Sequence, residues 1–305
     1  MNALAPIAFE ERLDIEGIVA RLAALRSLSQ RRRYAGPTPS LPSRDTVIAV
    51  FDDLVSALYP RHFGPQGLQP EDVDAFVGNA LRSALHALHE QIKLELTLTE
   101  EASPNGASEK TEAFATALTN VRALADSDAR AGFDGDPSAT SMDEVIFSFP
   151  GFAAVLRHRL AHELYRLGLP LIARIAAEDA HGCTGVDIHP GAEIGEGFFI
   201  DHGTGVVIGE TTIIGREVRL YQGVTLGAKK FETEETGALR KSYPRHPIVE
   251  DKVVIYAGAT ILGRVVIGRG SSIGGGVWIT QSVAPGSNVT QVPPRRDAFS
   301  NGAGI

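Results

Sequence analysis

The sequence predicts an α+β protein: an all-helical N-terminal domain, a left-handed parallel β-helix with one extruded loop, and a flexible C-terminal tail. The main observation is a period of six. Ile188, Ile194 and Ile200 are followed, after an eight-residue step, by Ile208, Ile214, Leu220 and Leu226; a second run reads Val249, Ile255, Ile261, Ile267, Ile273, Ile279. Two residues before many of these stands another inward-compatible side chain, such as Ala192, Phe198, Val218, Val224, Val253, Val265 or Val277. That alternation marks a very short strand with one buried face. Gly191, Gly197, Gly203, Gly223, Gly258, Gly270 and Gly276 fall between the strands, where a tight corner favours a residue without Cβ. Each hexad makes one flat side, and three sides close a coil of about eighteen residues. No coil buries its inner face alone, so the stack is stable only as a whole.

Residues 1–180 read as helices. Phe9–Arg33 sets Leu13, Ile15, Ile18, Val19, Leu22 and Leu25 near one face. Ser43 is placed to cap a second helix through Leu58, and segments 71–96 and 109–126 repeat the pattern across a polar loop, Thr99–Lys110. Ser141-Met142-Asp143-Glu144 has the spacing of a capping box, with Pro150 expected to interrupt the helix it starts. Leu156–Leu167 and Leu171–Ala180 are the last helices expected before the coils occupy 181–284.

Composition narrows the function. The chain has 305 residues, 43% hydrophobic and 22% charged, as in soluble globular proteins. A net charge of −8 argues against a nucleic-acid surface, which needs clustered Lys and Arg. Arg31, Arg32 and Arg33 read as a solvated helix end. No apolar run approaches the ~20 residues that cross a bilayer. The start lacks a basic region followed by an apolar core, and one cysteine, Cys183, suits a reducing compartment, so a cytoplasmic location is expected.

The β-helix is interrupted once. Between Leu226 and Val249 runs GAKKFETEETGALRKSYPRHPI, too polar for a prism side, so a loop over about 227–248 must leave the coil. From about Pro285 to Ile305 the chain is poor in apolar residues and reads as a flexible tail.

Four features can carry chemistry. Asp201-His202-Gly203-Thr204-Gly205 sits where the first register slips, which implies a distorted backbone around an imidazole. Val186-Asp187-Ile188-His189 lies upstream, Arg245-His246-Pro247 on the returning limb of the loop, and Asp136-Pro137 before the last helices. Taken singly, His202 reads as an ordinary histidine, Asp187 as a corner residue and Arg245 as a solvated charge.

Taken together, VDIHP at 186–190, DHGTG at 201–205, IGET at 208–211, VTLG at 224–227 and RHP at 245–247 resemble serine O-acetyltransferases, members of the hexapeptide-repeat acyltransferases. The likeness covers roughly residues 136–290. Hexapeptide repeats are common to many acyltransferases; DHGTG and RHP together, with VDIH upstream, are far more specific.

The resemblance implies acetyl transfer from acetyl-CoA, a co-substrate rather than a tightly held cofactor, to the L-serine hydroxyl in cysteine biosynthesis. No metal is implied. His202 would be the general base, suited by an imidazole's ordinary pKa. Asp187 would accept from its other ring nitrogen. His246 would bind or polarise the hydroxyl, with Glu210 orienting it. Arg245 would grip the serine carboxylate as a bidentate fork, and Asp201 and Asp136 would receive the ammonium. Gly227, Ala228 and Ala257 would line the thioester end of the coenzyme; Lys229, Lys230 and Arg269 are candidates for its phosphates. Ala228 stands where relatives often carry a second glycine, and Ser272 where a lysine can sit.

The resemblance further implies a homotrimer or a dimer of trimers with sites between neighbours, and L-cysteine as feedback inhibitor. It implies docking of the terminal Ile305 into O-acetylserine sulfhydrylase (cysteine synthase), for which a tail ending in one apolar side chain and a free carboxylate is suited. Rival readings are a hexapeptide acetyltransferase for another hydroxyl or amine, a γ-type carbonic anhydrase using His189, His202 and His246 on zinc, and a non-enzymatic scaffold. The last leaves the charged constellation unexplained.

Overall fold

The computed structural model describes residues 13–99 and 105–291. The chain divides into two compact units, Met1–Leu41 and Pro42–Ile305. The first holds helix α1 (Ile15–Arg33), which buries none of its residues. The apolar face read from its sequence is 40–62% exposed from Leu13 to Leu25.

In the second unit, α2 (Arg44–Leu58) starts at Ser43, whose hydroxyl accepts from Thr46 N–H as expected. A short α3 (Pro60–Phe63) and a single 3₁₀ turn precede α4 (Val73–Leu96) and α5 (Gly106–Gly135). Then come α6 (Met142–Ser148), α7 (Pro150–Arg166) and α8 (Pro170–Thr184). No helix among the described residues is long and apolar enough to cross a membrane. α5 continues past the predicted end at 126, because its last turns pack on the first coil of the β-helix. There a Cβ on Gly135 would crowd Arg219 and Phe199, and Gly132 also lies against Phe199. Pro150 does not merely interrupt a helix; it occupies the first turn of the next one, where its missing N–H costs nothing. The capping box is half formed: Ser141 Oγ accepts from Glu144 N–H, but the Glu144 carboxylate turns to Thr140.

Beyond α8 the chain makes three parallel sheets, one per prism side, of two- and three-residue strands. Face 1 stacks Asp187–Ile188, Val207–Ile208, Thr225–Gly227, Thr260–Leu262 and Trp278–Ile279. Face 2 stacks Glu193–Ile194, Ile213–Ile214, Ile248–Val249 and Val266–Ile267. Face 3 stacks Phe199–Ile200, Arg219–Leu220, Val254–Ile255, Ser272–Ile273 and Asn288–Val289. The second residue of each strand but the last, Asn288–Val289, is the aliphatic of the six-residue period. It pairs with its equivalent one coil away, as Ile188 with Ile208 and Ile208 with Leu226. These residues form one continuous core with the penultimate side chains Ala192, Phe198, Val218, Val224 and Val253. Each buried aliphatic contributes about 1.5–3 kcal/mol. The coils run further than predicted: Asn288–Val289 still pairs with Ser272–Ile273, so regular structure reaches past Pro285. Ile305 lies outside the described residues.

The first coil is closed by helix rather than by solvent. Ala154 and Val155 of α7 belong to the prism core, and Gly151 lies so near that a Cβ would meet the Ile200 carbonyl oxygen at 2.1 Å. A buried ion pair fixes the junction. Arg159 of α7 grips Asp128 of α5 through Nε–Oδ2 at 2.6 Å and Nη2–Oδ1 at 2.7 Å, and donates to the Ile194 and Gly195 carbonyls. Asp128 also accepts from Phe198 N–H at 2.9 Å, so every charge in the junction has partners.

Candidate active site

The prism has three edges, and the chemistry occupies two. After face 3 of the first coil the chain turns sharply: His202 takes φ +58°, Gly203 +86° and Gly205 +78°. A left-handed histidine is an unusual, costly conformation, of the kind that gathers at functional sites. It accounts for the eight-residue step from Ile200 to Ile208. The imidazole side chain is 69% exposed. Beside it stand Asp201, whose Oδ1 is 3.8 Å from His202 Nδ1, and the C-cap of α5, Asp136. Hydrogen bonds from Ser138 hold the Asp136 carboxyl below its usual range, and the His202 and Arg219 charges act in the same direction. Along this edge, between faces 3 and 1, Tyr221 and Tyr256 stack at 5.1 Å, next to Ala257.

Asp187 differs from its expected partnership. It opens face 1 on the same side of the prism, but among the described residues its carboxylate makes no hydrogen bond, and the carboxylate within 4 Å of His202 Nδ1 is that of Asp201.

The edge between faces 1 and 2 carries the second group. Glu210 Oε2 pairs with Arg245 Nη2 at 2.5 Å, and Glu210 Oε1 accepts from Tyr165 Oη of α7 at 2.9 Å. Burial alone would raise the Glu210 carboxyl, but the Arg245 and Tyr165 hydrogen bonds outweigh it and hold it below its usual range. Glu210 therefore bonds Arg245, not His246 as the sequence suggested. His246 is held by Thr211: its Nδ1 lies 3.0 Å from Thr211 N and 2.9 Å from Thr211 Oγ1. Thr211 Oγ1 also accepts from the backbone N–H groups of Arg245 and His246, and Arg264 donates to the Thr211 and His246 carbonyls. These bonds fasten the returning limb of the loop. Desolvation first, then the Arg245 charge, pulls the His246 pKa down to about 4, so the ring is neutral near pH 7. Gly209 gives the ring its room, since a Cβ there would lie 2.1 Å from His246 Cδ2.

Gly227, Ala228, Lys229 and Lys230 leave face 1 at this same edge, where the extruded loop begins. Arg269 stands apart, on the third edge, its guanidinium 3.4 Å from Asp251 and its N–H on Glu250. One chain thus brings Asp136, Asp201 and His202 to one edge and Glu210, Arg245 and His246 to another. His189 joins the second group, away from His202, so the three imidazoles of a zinc site do not converge within a chain. Tyr165, Thr211 and Arg264 were not singled out from sequence; only IGET, which contains Thr211, carried a signal.

Comparison with known proteins places the chain among similar sequences and structures. A bacterial transferase hexapeptide model (six repeats) matches residues 246–281. The chain is 55% identical over 275 residues to a plasmid serine acetyltransferase of Synechococcus elongatus, covering 87% of this chain and 86% of that one. In structure it is similar to serine acetyltransferase isoform 3 of Entamoeba histolytica, solved in complex with cysteine (TM-score 0.71, 32% identity, 87% of each chain). It is also similar to the Brucella abortus serine acetyltransferase solved in complex with coenzyme A (TM-score 0.54, 28% identity, 81% of this chain and 94% of that one). With the fold and a relative of this identity over most of its length, the chain belongs to the serine acetyltransferase family.

Proposed function

We propose that the protein transfers acetyl from acetyl-coenzyme A to the hydroxyl of L-serine, at sites built where two prisms meet. The observation that carries this is the split site: a base-like imidazole with two carboxylates on one edge, and a neutral imidazole with an arginine on the next. The sheet between them, face 1, presents Val207 and Trp278, 37% and 67% exposed. Closing three prisms around a three-fold axis through face 1 would set one edge of each chain against the other edge of its neighbour. A homotrimer is thus the smallest complete enzyme.

In that composite site His202 takes the hydroxyl proton as oxygen attacks the thioester carbonyl, and the thiolate of coenzyme A leaves. Asp187 and Asp201 are the carboxylates available to orient its Nδ1–H. Arg245 receives the serine carboxylate, with Glu210 fixing the guanidinium plane; Asp201 and Asp136 receive the ammonium. Acetyl-coenzyme A follows the groove between prisms past Gly227, Ala228 and Ala257, with Lys229 and Lys230 toward its phosphates. Arg269, already engaged by Asp251, is the weakest member of that set. The coenzyme A and cysteine held by the two relatives support acetyl-coenzyme A as donor and L-cysteine, an isostere of serine, as inhibitor at the serine site. The single Cys183 supports a cytoplasmic setting, and Ile305 is assigned to docking in the sulfhydrylase that consumes O-acetylserine.

Mixing tests this. His202→Ala and His246→Ala chains, each inactive alone, are unfolded, mixed and refolded together. In random trimers each mixed ring regenerates one intact site, so about one quarter of wild-type turnover returns. No recovery in trimers that demonstrably exchange chains would refute the shared site. Acetyl transfer to a sugar or amine in preference to serine would overturn the acceptor, and an unchanged sulfhydrylase complex after deletion of Ile305 would overturn the tail's role.

A further inference from the structure

The hydroxyl of Thr211 has one proton to give and two lone pairs to receive. Both lone pairs are occupied, by the N–H of Arg245 at 2.9 Å and the N–H of His246 at 3.1 Å. The proton is left for the remaining neighbour, His246 Nδ1, at 2.9 Å. Independently, the backbone N–H of Thr211, which can only donate, points at the same nitrogen from 3.0 Å. Two donors converge on Nδ1, so Nδ1 must be an acceptor, and in the neutral ring the proton resides on Nε2. Nε2 has no hydrogen-bond partner among the described residues; the ring packs against Gly209, where a Cβ would lie 2.2 Å from Nε2, yet Nε2 is not among the fully enclosed unpartnered atoms.

We propose that Thr211 is a positioning residue that locks His246 in the Nε2–H form, making this ring a hydrogen-bond donor to an oxygen of the amino-acid acceptor and not a second base. The inference rests on the reading of the site given above and assigns the two imidazoles unlike duties. His202 accepts a proton; His246 can only offer one. The charged and titratable neighbours agree with a neutral ring: Arg245 and Arg264 oppose a positive charge there, His189 opposes it too, and Glu210, which would favour one, is already bonded by Arg245. The arrangement resembles the general rule that a histidine's second nitrogen sets the role of the first.

The test uses the full-length protein labelled with ¹⁵N in its histidine rings, the His246 signals being identified by their loss in His246→Gln. In the wild type the expected pattern is a protonated Nε2 and an unprotonated Nδ1 from pH 8 down to about 5. In Thr211→Val the backbone N–H still points at Nδ1, so the Nε2–H form should persist with an Nδ1 signal shifted by loss of the hydroxyl bond, kcat/KM for serine should fall at least tenfold, and the KM for acetyl-coenzyme A should change less than twofold. Thr211→Ser should restore the shifts and most of the serine kcat/KM. A wild-type ring protonated on Nδ1 overturns the proposal whether or not any variant folds, and so does a folded Thr211→Val with unaltered ring shifts. Should the wild-type ring show the Nε2–H pattern while serine is not acetylated, the lock stands and the assigned reaction falls.

Discussion

Tyr165 Oη, on the last turn of α7, donates to Glu210 Oε1 at 2.9 Å, and the other oxygen of that carboxylate holds Arg245. A helix that precedes the coils therefore braces the residue assigned to the serine carboxylate. Burial and the Glu210 bond push the phenol up, so it remains a donor throughout the working range.

Removing that brace should be felt in serine binding. For Tyr165→Phe, loss of a hydrogen bond to a charged group is expected to cost about 1.5–3 kcal/mol at most, less where solvent replaces it. Steady-state kinetics should show a rise in the KM for serine of roughly three- to tenfold, with kcat little altered. An unchanged KM would mean that Glu210 holds Arg245 unaided.

The Arg159–Asp128 pair should dominate the stability of the junction. Arg159→Met leaves Asp128 buried and uncompensated, at about 3–5 kcal/mol. Adding Asp128→Leu should return much of that loss, because the charge left behind is then gone. Denaturant unfolding of the two single variants and the double variant measures the coupling; additive losses would contradict it.

His246 links stability to acidity. Its folded pKa of about 4 lies below the ordinary histidine value of 6.5, so the unfolded chain binds more protons between those values. The contribution is complete above pH 6.5 and fades as pH falls toward 4. His246→Gln should flatten the stability profile in that window. A profile as steep as that of the wild type would show that other groups control it.

Gly209→Ala should be far more damaging to catalysis than to folding. The new methyl would overlap the His246 ring, at 2.1 Å from Cδ2, while the turn itself has no need of a left-handed glycine. Turnover should fall by at least a hundredfold (~3 kcal/mol), with the melting temperature lowered by only a few degrees.

Trp278 is the sole tryptophan and lies on face 1, 67% exposed in the single chain. Its fluorescence should shift to the blue when chains associate, and Trp278→Glu should weaken the trimer in sedimentation experiments. An emission maximum independent of dilution through the dissociation range would remove face 1 from the interface.

What could be read from the sequence was local. Each coil repeats within about eighteen residues, so Ile188, Ile208 and Leu226 announce their stacking by spacing alone. The caps at Ser43 and Ser141 were legible for the same reason, because donor and acceptor are three residues apart. Contacts between distant segments left no such mark. The N-terminus of α8 is capped by Glu95, whose oxygens accept from Leu171 and Ile172 N–H at 2.8 and 2.9 Å across more than seventy residues. Arg159 meets Asp128, and Tyr165 meets Glu210, with no periodicity to betray either. In the candidate site, the motifs pointed to Asp201, His202, Arg245 and His246, but which edge each would occupy depends on where the coil turns, and that is a property of the closed prism.

The helical plug on the first coil has a consequence for how the chain is made. Ribosomes deliver α2–α8 before any strand, so Ala154, Val155 and Arg159 are waiting when Val186–Ile200 emerges. The earliest turn of the solenoid can condense on a finished surface, and every later turn on the one before it, like masonry rising from a foundation. Weakening the plug should therefore slow refolding from denaturant more than it hastens unfolding.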